Sequence, residues 1–95
     1  MIKYIWDEAK NKTNVSKHGV DFETATLAFE DPFCIASADS IRDGEMRWHA
    51  IGMVGTVSVL VVVHTHRTEG IDEVIRIISC RRALKHERKL YEESR

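Results

Sequence analysis

Two cysteines, one proline and five glycines are all that the 95 residues contain of these types. Cys34 and Cys80 lie far apart and show neither metal nor redox spacing, so they read as reduced core thiols of a cytoplasmic protein. No linker or low-complexity tract divides the chain, and its length leaves room for one core, so residues 1–95 are expected to form a single domain. Long apolar runs are missing too. The longest, Val59 to Val63, falls far below the ~20 residues that a membrane-spanning helix needs, and no membrane is expected as a partner. The opening stretch, Met1 to Asp7, has no apolar h-region and no small-residue cleavage site, which argues against a signal peptide.

Charge is present and unevenly spread. Residues 1–46 carry five Lys/Arg against nine Asp/Glu, whereas residues 76–95 carry seven against three, although the whole chain has a net charge of only −1. An acidic first half and a basic end suit a tail that meets a polyanion or an acidic partner. A solvated charged helix behind a sheet explains the same distribution equally well.

The pattern of elements is β-α-α-β-β-β-β-α. A strand over Ile2–Trp6 ends at Asp7, which caps a polar helix that stops at Lys17-His18-Gly19, with cations in the last turn and a glycine free for the left-handed position. Asp21 caps a second helix, with Val20 placed to pack on Ala25, and Pro32 ends it. Residues 33–38 are a weaker strand candidate, followed by a polar loop through Arg42-Asp43-Gly44-Glu45. Met46–Val54 and Val57–Arg67 flank Gly55-Thr56 as a hairpin, and the second strand is apolar on both faces, as a central strand should be. A turn at Thr68-Glu69-Gly70 leads to a strand over Glu73–Cys80. A helix over Arg81–Ser94 follows, with Ala83, Leu84, Glu87, Leu90 and Tyr91 on one stripe and Arg81, Lys85, Arg88 and Lys89 on the next. The expected class is α+β, with two N-terminal helices packed on a small, largely antiparallel sheet and a C-terminal helix.

Chemistry concentrates where the strands end and the last helix begins. Alternation puts His64 and His66 on the face of Leu60 and Val62, and Arg67 on the other. It puts Arg76 on the face of Val74, Ile78 and Cys80. An arginine among Ile75, Ile77 and Ile78 is costly to bury alone, so it has either a carboxylate partner such as Glu87 or an anionic ligand. Cleavage of RNA without a metal needs a base for the ribose 2′-hydroxyl and cations for the charge that grows on phosphate. His64, Glu87 and Tyr91 can move protons, and Arg67, Arg76, Arg81 and Arg88 can hold a phosphate bidentately. The pair His64/His66 has no third ligand at a recognisable spacing, so no metal site and no cofactor is expected. Lys17-His18-Gly19 is explained by helix termination, Leu84, Leu90, Tyr91 and Trp48 by core packing, and Trp6 as an anchor beside the first cap.

Taken together, these stretches resemble the BrnT toxins of bacterial type II toxin–antitoxin systems. The matching residues are Ile5-Trp6-Asp7-Glu8-Ala9-Lys10, Asn14, Lys17-His18-Gly19-Val20, Phe22-Glu23 and Phe29-Glu30-Asp31-Pro32. They continue through Val61-Val62-Val63-His64-Thr65, Arg67, Ile75 to Ala83, Glu87-Arg88 and Tyr91-Glu92. Cys80 departs from the alanine usual at its place. The resemblance implies a RelE-like fold, a ribonuclease activity that arrests translation, and neutralisation by a cognate BrnA-like antitoxin, with operator DNA bound only through that antitoxin. On this reading Arg67, Arg76 and Arg81 contact phosphate, His64 or Glu87 is the base with Tyr91 in support, and Lys85, Arg88 and Lys89 bind RNA. The alternative is a non-catalytic module whose basic C-terminal face docks an acidic protein.

Overall fold

In a computed structural model of the protein, which describes residues 1–56 and 58–95, all elements pack on one five-stranded sheet. The elements are β1 (Ile2–Ile5), α1 (Glu8–His18), α2 (Phe22–Glu30), β2 (Ile35–Arg42), β3 (Glu45–Val54), β4 (Ser58–Glu69), β5 (Asp72–Arg82) and α3 (Lys85–Glu93). The strand order is β1-β5-β4-β3-β2, antiparallel throughout except for the parallel pair β1–β5. The expected order of elements is found, on a sheet that is mixed because the N-terminal strand runs beside β5.

The helix ends follow from their caps. The Asp7 carboxylate accepts from the Lys10 N–H, Asp21 from Thr24, and Gly19 takes the left-handed conformation with its N–H on the Val15 carbonyl. Val20 and Ala25 meet in one core cluster, as a staple across the α2 start requires. That cluster joins Phe22, Ala25 and Ala28 of α2 to Ala50, Leu60, Val62, Ile75, Ile77 and Cys80 of the sheet. Helix and sheet press together at Gly52, where a Cβ would lie 2.3 Å from the Ala28 carbonyl oxygen. The opposite sheet face has a smaller cluster, Ile51, Val59 and Val61 under Tyr91 of α3.

Beyond Arg76, β5 outruns β1, and the Asn14 side chain takes over the open edge. Its amide nitrogen donates to the Cys80 carbonyl at 2.7 Å and to the Val20 carbonyl at 2.8 Å, while its oxygen accepts from the Cys80 N–H at 3.0 Å. One buried amide thus substitutes for a neighbouring strand and ties α1 to the sheet.

Several expected boundaries move. Asp43-Gly44, read as part of a loop, is a two-residue hairpin with both residues at positive φ, and β2 and β3 run up to it. The strands β4 and β5 continue to a Glu69–Asp72 pair, so the turn expected at Thr68-Glu69-Gly70 lies instead at Gly70-Ile71. The expected start of the central strand at Val57 lies outside the described residues. β5 persists to Arg82, so α3 starts four residues later than expected and Arg81 belongs to the strand, not to the helical basic stripe. Leu84 and Leu90 are 55% and 54% exposed, so α3 docks through Glu87 and Tyr91 instead of an apolar stripe. The sheet is closed on both faces: Val59 and Val61 beneath α3, and Val62 beneath the helix pair, are fully covered.

Candidate active site on the open sheet face

A β-bulge decides what shares a face with what. In β5 the register jumps between Val63↔Ser79 and His64↔Ile77, leaving Ile78 without an opposite residue. The bulge shifts the alternation by one. Ile75, Ile77 and Cys80 therefore all point into the helix-pair cluster, and Arg76 and Arg81 both point to the α3 side. Arg76 does not share a face with Cys80, as simple alternation had placed it.

The register then arranges the α3 side in rows. Ile35, Ile51, Val61 and Arg81 form the row beneath α3, and Ser37, His49, Val63 and Ser79 form the next. Ser40 pairs with Arg47 and Thr65 with Arg76, and one residue past the Trp48↔His64 pair these two pairs fall into a third row. The helices α1 and α2 pack elsewhere and α3 covers only the Tyr91 end, so this third row stays open.

The open end carries two arginines and is incompletely bonded. Arg76 donates through Nη2 to the Glu45 carboxylate across β4. Its Nε, and the Nε of Arg47, are buried from solvent yet have no hydrogen-bond partner among the described residues. Two guanidinium N–H groups left without acceptors are an unusual cost, since buried donors are nearly always satisfied. Thr65 is buried between the two arginines in the row. His49, one row in, has Nε2 3.5 Å from the Asp39 carboxylate.

The residues singled out from sequence divide among several places. Arg76 is on the open face. Arg81 lies at its α3 margin, where Nη1 and Nη2 donate to the two Glu87 oxygens at 2.7 and 2.8 Å. Those bonds hold the Glu87 carboxyl down to about 2, and Glu87 also accepts from the Leu84 N–H that opens α3. Tyr91 is buried and donates to Asp31; burial and that carboxylate push its hydroxyl up to about 12. Asp31 also accepts from the Met53 and Phe33 N–H groups, so one side chain fastens α2, β3 and α3 together. Arg67 is at the far end of β4, bonded to Glu69. His64 is on the helix-pair side, edge-on to Phe29 with centroids 4.9 Å apart, and burial lowers its pKa. The sheet separates it from Arg76. Lys85, Arg88 and Lys89 are exposed along α3. Arg47 and His49 were not singled out, because a lone arginine and histidine in an alternating strand carry no local signal.

The thiols are core groups: burial pushes Cys34 up to about 11 and Cys80 up to about 12. His66 bonds Glu73 at 2.6 Å. Among the described residues, no three His, Cys, Asp or Glu side chains converge as a metal site would require.

The chain is a small α+β protein, a mixed sheet with a helix pair on one face and arginines on the other. Comparison gives that class its name: residues 6–87 match the model of the ribonuclease toxin BrnT of type II toxin–antitoxin systems. The chain belongs to this family. It is also similar to the crystal structure of the Brucella abortus ribonuclease toxin BrnT, with 33% identity and a TM-score of 0.62 over 90% of this chain and 100% of that one. No curated protein matches it.

Proposed function

We propose that the chain is a RelE-like, metal-independent endoribonuclease that cleaves RNA on the open sheet face and thereby inhibits translation. A BrnA-like antitoxin, itself the operator-binding component, neutralises it. The family assignment supports the ribonuclease class, and the observation that carries the site is the pair of unsatisfied Nε groups on Arg47 and Arg76. A phosphodiester on this face competes with Glu45 for the exposed end of Arg76, and reorientation of the two guanidinium groups onto it gives their Nε groups the acceptors they lack.

In such a reaction the ribose 2′-oxygen attacks the neighbouring phosphorus and the 5′-oxygen leaves. Two guanidinium groups aimed at the phosphate stabilise the charge of the crowded intermediate more than that of the starting diester. Arg81 at the margin, with Lys85, Arg88 and Lys89 on α3, guides the flanking strand. Glu87 and Tyr91 keep α3 in place beside it.

The test is incubation of the purified protein with RNA in EDTA, followed by mapping of the cut ends. Cleavage that persists and leaves 2′,3′-cyclic phosphate supports the reading. Activity lost in chelator and restored by zinc or manganese counts against it.

A further inference from the structure

Two bulges interrupt the sheet, and both act on the same face. The first, at Ile78, puts Arg76 and Arg81 on that one face, two rows apart. The second lies in β2, where the register steps from Ala38↔Trp48 to Ser40↔Arg47 and leaves Asp39 unpaired. A bulge re-aims the side chain that it carries. Here the Asp39 carboxylate is turned onto His49, with Oδ1 3.5 Å from Nε2, while Oδ2 accepts from the Ser40 hydroxyl at 3.1 Å. The His49 side chain is 29% exposed, so the ring is both held and reachable.

We propose that His49, oriented by Asp39, is the general base of the cleavage; this rests on the reading of the open face as the RNA site. His49 follows Arg47 on the same face of β3, one row from the arginines that hold phosphate. The Asp39 carboxylate faces Nε2 at ion-pair distance, so Nδ1 is the nitrogen offered to the substrate. At 3.5 Å the contact is longer than a hydrogen bond, and catalysis requires it to shorten in the substrate complex. The groups facing His49 are Asp39 from β2, Arg47 on its own strand, Val63 and Ser79 along its row, and Arg76 with Glu45 one row on. His64 lies behind the sheet, on the Phe29 side. The step balances without a redox partner. Nδ1 takes the 2′-hydroxyl proton, the O2′–P bond forms, and the P–O5′ bond breaks. The departing 5′-oxygen takes a proton from water, and His49 later returns its proton to solvent. Asp39 is a positioning residue.

The experiment is single-turnover cleavage of a single-stranded RNA across pH, with binding measured on the same oligonucleotide carrying a 2′-deoxy scissile ribose. For the unmodified protein the rate should rise through an acid limb to a plateau, because the base must be neutral. His49→Gln should lower the plateau rate by roughly 10²–10⁴-fold and remove that limb, with binding of the deoxy analogue unchanged. Asp39→Asn should lower the rate less than His49→Gln does, with binding of the deoxy analogue again unchanged. A His49→Gln rate within twofold of the unmodified protein overturns the proposal, and if Arg76→Gln is inactive in that assay the site itself stands. A rate independent of pH in the unmodified protein overturns the proposal without any variant. If the unmodified protein cuts no RNA, the reading of the site fails first and the proposal with it.

Discussion

Glu87→Gln isolates the electrostatic latch that holds α3 on the sheet. The glutamine keeps the size of the side chain and an oxygen for the Leu84 N–H, and removes the charge that faces Arg81. The Arg81 hydrogen bonds, helped by the Leu84 N–H and the nearby His86, lower the Glu87 pKa from 4.5 to about 2. At ~1.4 kcal/mol per pH unit, the shift alone corresponds to roughly 3.5 kcal/mol. The Arg81 side chain is 33% exposed and the Glu87 side chain 11%, so solvent screening reduces the expected loss to about 1–2 kcal/mol. The folded-state pKa is depressed, so this stabilisation is complete above the unfolded value of 4.5 and disappears as pH falls towards 2. Urea unfolding followed by far-UV circular dichroism at pH 7, 4 and 3 should show the variant weaker at pH 7, with the gap closing on acidification. A gap as large at pH 3 as at pH 7, or none at pH 7, would refute the latch.

Three further outcomes follow from packing and charge. Gly52→Ala drives a methyl group into the Ala28 carbonyl, where rigid backbone cannot yield; thermal unfolding should reveal a loss of about 3 kcal/mol, and an unchanged midpoint would mean that α2 does not press on β3 there. Asn14→Ala strips the Cys80 edge and the Val20 carbonyl of their partners, at a cost of roughly 2–4 kcal/mol in chemical denaturation; near-neutral behaviour would deny the amide its role as a substitute strand. Lys85→Ala with Lys89→Ala should flatten the log–log salt dependence of RNA binding by ~0.7 per lost phosphate contact without abolishing cleavage, and an unchanged slope would move the RNA path off α3.

What could be read in advance was whatever a short stretch of chain decides for itself. Asp7, Gly19, Asp21 and Pro32 each act within a turn of their own position, and the helices they delimit are found where expected. The element order followed from the same local signals, although Asp43-Gly44 carried a hairpin signal that was read as a loop. The candidate site was less legible because it depends on two bulges. Nothing in Ile77-Ile78-Ser79 announces an extra residue, and without it Arg76 falls on the face of Cys80. Asp39 likewise looks like a polar residue of an edge strand until the pairing skips it. Arg47 and His49 become notable only through what lies across the sheet from them. The exposed Leu84 and Leu90 show a different limit: α3 has an amphipathic sequence, but it is fastened by Glu87 and Tyr91 through polar bonds.

The open face as the place of RNA cleavage is tested most directly by the single-turnover rate of Arg47→Gln and Arg76→Gln at saturating RNA in EDTA. Each substitution removes one guanidinium whose Nε has no partner among the described residues, and neither residue belongs to the two core clusters. Loss of one donor to the developing charge should reduce the rate by about 10²–10³-fold, with the circular dichroism spectrum unchanged. Folded variants that cleave RNA within twofold of the unmodified rate would contradict the account.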